Sequence, residues 1–347
     1  MDTKGLRAYF KKLSLKKAIG LTTAVILVVI IIVFYYLAYA TTPNPDRPIY
    51  WGATFSQKFA SDMGLDWKET YRAILYDLGV RRLRLIAYWD LIEKENDKFS
   101  FEDLDYQFEL ALKSGSSVIL AVGQKTPRWP ECHIPEWAKS LSIQERHNKL
   151  ISYLEQIVKR YKDHPALLYW QAENEPFFPF GECPDTYPHL TDEEVSLIKS
   201  IDRTHRVMLT DSGEFGLWYF AAKRSDVFGT TLYRRVYNKT FGYIDYNLPP
   251  SFFRIKALLI RFLTNDRLRP YVVSELAGEP WLEKQLYETT AEEHLRYFDF
   301  DFFKDTIGYA NEAGFNIYYL WGAEWWYWLK EEQGHPEFWE YAKTLYE

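Results

Sequence analysis

The 347-residue chain is 47% hydrophobic and 26% charged, a balance that supports a sizeable core and excludes a disordered or low-complexity protein. Its formal charge of −6 is unevenly placed: Lys4, Arg7, Lys11, Lys12, Lys16 and Lys17 against Asp2 give residues 1–17 a charge of +5 and leave −11 on the rest, which argues against nucleic acid as a partner. The 2 cysteines are too few for a metal site and the 7 histidines lack ligand spacing, so neither a metal nor, without a phosphate loop or nucleotide fingerprint, a cofactor is expected.

Residues 1–17 read as a basic cytoplasmic leader and 18–40 as a transmembrane signal-anchor helix, since those 23 residues carry no charge. At about 1.5 Å per residue they cross a hydrocarbon core of roughly 30 Å. Lysines before the span belong on the cytoplasmic side, and Tyr35, Tyr36 and Tyr39 suit the outer interface. The expected location is therefore the cell membrane, single-pass, with the globular part extracytoplasmic. The competing reading is a cleaved signal peptide, because Ala38-Tyr39-Ala40 has the form of a cleavage site. The apolar stretch is longer than the roughly 7–15 residues of a signal core, which favours the anchor. Residues 41–48, with Pro43, Pro45 and Pro48, form a stiff linker into a domain over 49–347.

That domain alternates strands and helices. Strands are predicted at Ile49–Phe55, Val80–Tyr88, Ser117–Gly123, Leu167–Ala172, Arg206–Thr210, Val227–Tyr233, Tyr271–Glu275 and Asn316–Trp321. Helices are predicted at Trp67–Leu78, Asp103–Lys113, Ile143–Tyr161, Asp192–Asp202, Leu217–Arg224, Phe252–Leu263, Ala291–Ala313 and Pro336–Tyr346. Eight repeats without a Gly-rich phosphate turn favour an α/β (β/α)8 TIM barrel over a doubly wound sheet. Phe252–Leu263 is apolar and basic, and reads either as a helix covering the barrel or as a second membrane contact.

The fourth strand ends in Glu173-Asn174-Glu175-Pro176, where proline stops regular pairing. The seventh ends in Ser274-Glu275. In a barrel, strand C-termini carry the chemistry, and two glutamates there are the pair that cleavage of a glycosidic bond requires, one giving a proton and one attacking. Glu173 lies one residue off the inward face, and Glu279 follows Gly278 in a loop. Glu324 reads as a rim or solvated residue; Trp325, Trp326 and Trp328 read as a sugar platform or as packing, the same two uses open to the 13 tryptophans generally.

On Asn174-Glu175-Pro176 at the fourth strand, Glu275 at the seventh and the eight-unit count, the region from about Ile49 to Tyr346 resembles the clan A glycoside hydrolases, especially the cellulase-like family five. The resemblance implies a carbohydrate substrate, Glu175 as general acid/base, Glu275 as nucleophile and Asn174 on the sugar 2-hydroxyl. It also implies Arg84 beneath the nucleophile, Tyr233 bonded to Glu275, Trp321 flooring the first sugar subsite, and a supporting place for Trp89. The third-strand loop departs from that family: Gln124, Arg128 and Trp129 stand where a histidine is often found. Cys132 and Cys183 fall in the loops after the third and fourth strands, and a disulfide between them is expected outside the cytoplasm. The expected function is a membrane-anchored retaining β-glycoside hydrolase; a transglycosylase of envelope glycans and a non-catalytic glycan-binding protein are the alternatives.

Overall fold

The computed structural model describes residues 3–183 and 188–347, with side chains from Ile19 onward. Among the described residues, eight parallel strands close a barrel in chain order: Tyr50–Thr54, Arg82–Ile86, Ser117–Val122, Leu167–Ala172, Arg206–Asp211, Val227–Leu232, Tyr271–Ala277 and Ile317–Trp321. The eighth pairs with the first, matching Tyr50 to Ile317 and Ala53 to Leu320, so no edge is left open. The predicted fold class is thus the observed one.

Strand alternation sorts the side chains. Val118, Leu120, Val207, Leu209, Phe228 and Val273 face the helices and join the main core, whereas Ile119, Met208, Val227, Val272 and Tyr319 form a separate apolar cluster in the barrel interior. The cluster fills the lumen, so the reactive layer rests on packed side chains rather than over a pore. The register slips between Thr230 and Thr231 against the seventh strand, which re-aims Glu275 beside Thr231.

Several helices start and stop where local chemistry dictates. Ile143–Tyr161 opens on a Ser142/Glu145 capping box. The long helix expected over Ala291–Ala313 is two, Ala291–Tyr297 and Phe300–Ala313, because Asp299 caps the second by accepting from the Phe302 N–H at 2.7 Å. Gly314 (φ 83°) ends it in the left-handed region. Ser251–Leu263 covers the barrel through Phe253, Ala257 and Ile260, as the first of its two readings requires. A hairpin, Arg235–Asn238 with Gly242–Asp245, and a helix at Ala323–Glu332 go beyond the elements predicted.

Thr3–Ala40 is one helix, and Ile19–Ala40 is long and apolar enough to cross a membrane by length and composition. Where it meets the domain, Arg254 donates to Ala38 O and Thr41 Oγ1, each at 3.4 Å.

Candidate active site

Arg84 organises the site. It is fully buried on the second strand, and each end of its guanidinium is spoken for. Nη1 donates to Glu275 Oε1 at 2.8 Å, Nη2 to Asn174 Oδ1 at 2.7 Å, and Nε to Gln171 Oε1 at 2.7 Å. One planar cation therefore fixes residues of the fourth and seventh strands relative to each other, a role its fork geometry suits. The second oxygen of Glu275 accepts from the Tyr233 hydroxyl at 2.9 Å. A guanidinium donates to one oxygen and a phenol to the other, so both oxygens of Glu275 are held in place.

Glu175 has the opposite surroundings. Its Oε1 is buried with no hydrogen-bond partner among the described residues, which leaves it free to bond an incoming group. Burial, then the negative charges of Glu275 and Glu131, push its pKa well above the ordinary carboxylate value. One carboxyl pushed toward its neutral form beside one paired with a buried cation is the division an acid and a nucleophile need.

The turn that carries Glu175 is strained and braced. Glu173 (φ 58°) and Glu175 (φ 47°) both occupy the left-handed region, at a cost of about 1–3 kcal/mol each. Glu173 N bonds Val122 O at 2.8 Å, Glu175 N bonds Thr210 Oγ1 at 2.9 Å, and Lys125 Nζ donates to Glu175 O at 3.0 Å. The Glu173 carboxyl turns away to accept the N–H groups of Gln124 and Lys125 at 2.9 and 2.6 Å. Glu173 is thus a brace, and Glu175 faces the site.

A third carboxyl, Glu131, enters from the loop after the third strand, where sequence reading gave no sign of it. Its Oε2 accepts from Asn174 Nδ2 at 3.1 Å, and burial, then the charge of Glu275, push its pKa up to about 8. It also has positive φ (72°). The Cys132–Cys183 disulfide, formed as expected, ties this loop to the one after the fourth strand. Beside it, Arg128 pairs with both Glu279 and Glu324, and lies 4.1 Å from the centre of the Trp321 ring.

Of the sequence-predicted residues, Arg84, Asn174, Glu175, Tyr233 and Glu275 come together, and Trp321 lies at the same end of the barrel against Arg128. Trp89 does not join them: it is fully buried, donates to Glu93 Oε2 at 2.7 Å and packs on Trp137 and Tyr153. It is a core residue, and that expectation is corrected. Trp325 and Trp326 are likewise fully buried, bonded to His294 and Gly278, so they pack rather than floor a cleft. Glu324 is neither rim nor solvated, being fully buried against Ser56 N at 2.6 Å. An aromatic row that sequence reading missed runs outward from Tyr233 through Trp281 and Phe180 to Trp129, with ring centres 5.1, 5.3 and 6.2 Å apart.

The family 42 glycoside hydrolase model, described as beta-galactosidase, matches residues 65–187, a segment holding Arg84, Glu131, Asn174 and Glu175. Beta-galactosidase Pbg of Clostridium perfringens is 34% identical over 143 residues, 36% of this chain and 20% of that protein. Beta-galactosidase BgaB of a Geobacillus species is 29% identical over 129 residues, 31% and 19%. The matched segments thus span about a fifth of these curated relatives. Among solved structures, a GH5_18 protein of Bifidobacterium longum subsp. longum in complex with Manb1-4GlcNAc superposes with TM-score 0.58 at 14% identity, covering 85% of this chain and 78% of that one. Exo-beta-1,4-mannosidase Op5Man5 of Opitutaceae bacterium strain TAV5 gives 0.57 at 14%, covering 86% and 59%. Residues 65–187 are thus similar to the family 42 beta-galactosidases, and the solved structures share the barrel fold of the chain.

Proposed function

We propose that the chain is a membrane-anchored, retaining β-glycosidase acting on an extracytoplasmic oligo- or polysaccharide. The observation that carries the reading is Arg84 bridging Glu275 and Asn174 while the adjacent Glu175 keeps a buried, unpartnered oxygen.

Glu275 attacks the anomeric carbon as the glycosidic C–O bond breaks, and Glu175 passes its proton to the departing oxygen. Retaining chemistry needs the two carboxyls about 5–5.5 Å apart. The glycosyl ester neutralises Glu275, which removes one cause of the raised Glu175 pKa. Glu175 then ionises, takes a proton from water, and that water displaces Glu275 with net retention. Asn174, its Oδ1 anchored on Arg84, presents an Nδ2 hydrogen to the sugar 2-hydroxyl. The names of the curated relatives make β-galactosides the first substrates to test, and β-mannosides follow from the structural neighbours. The helix Ile19–Ala40 would hold the domain at the outer membrane face, with the basic leader inside.

The test is turnover of a panel of 4-nitrophenyl β-glycosides by the full chain, with the first-formed anomer read by proton NMR. Release of the β-anomer supports the reading. Release of the α-anomer contradicts retention, and no hydrolysis of any sugar by a folded chain contradicts the enzyme assignment.

A further inference from the structure

The cluster is short of positive charge. Three buried carboxyls, Glu131, Glu175 and Glu275, share it, yet among the described residues the one cation in direct contact with any of them is Arg84, on Glu275. Another ammonium, Lys125 Nζ, donates to the carbonyls of Glu175 and Phe178 at 3.0 and 2.7 Å. Buried carboxyls without a cation are costly, and the fold nonetheless drives Glu131 inward. Its backbone is left-handed, its N–H donates to Arg128 O at 2.7 Å, its carbonyl accepts from Thr126 N at 2.8 Å, and a disulfide begins at the next residue. Gly181 lies against its side chain so closely that an added Cβ there would fall 2.5 Å from Glu131 Cβ.

Asn174 defines what Glu131 faces. Asn174 Oδ1 already takes Arg84, Gln171 Nε2 and Thr210 Oγ1, and one Nδ2 hydrogen goes to Glu131 Oε2. Only the second Nδ2 hydrogen remains for a ligand. The carboxyl joined to Asn174 Nδ2 is that of Glu131, so it adjoins the place that Asn174 addresses. Resting on the glycosidase reading, in which Asn174 addresses ring carbon 2, we propose that Glu131 is a specificity residue that binds an ammonium on that carbon, so that the preferred substrates are 2-amino-2-deoxy-β-glycosides. The ammonium supplies the missing cation, and the carboxylate shields the reacting carbon from a positive charge that would oppose an oxocarbenium-like transition state. Burial and Glu275 already hold the empty-site Glu131 carboxyl at about 8, the state a cationic ligand reverses. The acidic domain, −11 outside the leader, attracts a polycationic glycan.

The experiment compares matched 4-nitrophenyl β-glycosides (galactoside with 2-amino-2-deoxygalactoside, and the gluco and manno pairs) at pH 6, using the full chain, Glu131→Gln and Glu131→Asp. The wild type should favour the amino member of one pair by at least about 10-fold in kcat/KM. Glu131→Gln should lose about 10–100-fold more on the amino member than on the hydroxyl member, the weight of a charge-assisted bond. Glu131→Asp, which keeps the charge, should retain part of the preference and serves if the glutamine variant fails to fold. A wild type that favours the hydroxyl member of every pair overturns the proposal. So does an equal loss on both members, the mark of a residue that merely holds Asn174. If the wild type hydrolyses none of the six, the glycosidase reading fails, and calorimetry with free 2-amino sugars decides Glu131 separately: binding no tighter than the parent sugars overturns it.

Discussion

At the scale of single residues the site separates two adjacent carboxyls by their partners. Glu173 is saturated by two backbone N–H groups and Glu175 Oε1 by none. Glu175→Gln and Glu275→Gln should each cut turnover by at least about 10²–10⁴-fold, and Glu175→Gln should leave the thermal midpoint unchanged or raised. Glu173→Ala should instead lower stability by about 2–4 kcal/mol by orphaning two buried donors, measured by urea unfolding. Tyr233→Phe removes the 2.9 Å bond to Glu275 and should lower kcat/KM about 10-fold or more. Glu175 and Glu275 could be singled out because strand ends and a terminating proline mark their positions, whereas Asn174 and Arg84 entered through the family resemblance. Glu131 and the Arg128–Glu279–Glu324 group were not legible, since residues of left-handed φ and contacts between two loops and a helix start leave no periodic trace. Trp89 misled because a tryptophan at a strand tip serves core and cleft equally well.

At the scale of elements, hydrophobic periodicity located all eight strands, and their closure followed from the count. The division of the late helix at Phe298 escaped it, because the apolar pattern continues across the break and only the Asp299 cap marks it. The disulfide couples two loops that carry site residues across 51 positions. Cys132→Ser with Cys183→Ser should lower stability by about 2–4 kcal/mol, and activity should fall further below that of the parent than the unfolded fraction explains, because Glu131 directly precedes Cys132. Gly123→Ala should also be damaging. At φ 132° its added Cβ would stand 2.5 Å from Glu173 Oε1, a clash that releases the brace under Glu175.

For the whole molecule, buried carboxyls set the pH dependence of stability. Glu131 titrates at about 8 and Glu173 and Glu324 at about 7, all above the ordinary 4.5, so the native chain holds protons that the unfolded chain releases. Their contribution is complete below about 4.5 and is lost as pH rises through 7 to 8. His133 and His294, pushed by burial from 6.5 down to about 4, act in the opposite sense but only below 6.5. The thermal midpoint should therefore fall between pH 6.5 and 8, and Glu131→Gln should flatten the upper half of that fall in a calorimetric series. The proposed anchored, outward-facing topology would place the basic leader inside and the acidic barrel outside. If that topology holds, the full chain should stay with membranes through alkaline carbonate washing and keep its N-terminal residues by mass spectrometry.

The central claim is that Glu275 forms a covalent bond to the sugar while Glu175 supplies and withdraws the proton. The most direct test is intact-protein mass after incubation of the full chain with activated 2-deoxy-2-fluoro-β-glycosides of galactose, glucose and mannose, followed by peptide mapping. The account predicts a single added glycosyl group on Glu275 from at least one of these sugars, absent in Glu275→Gln. An adduct on another residue, or none from any sugar by a chain that hydrolyses the parent glycoside, would contradict it.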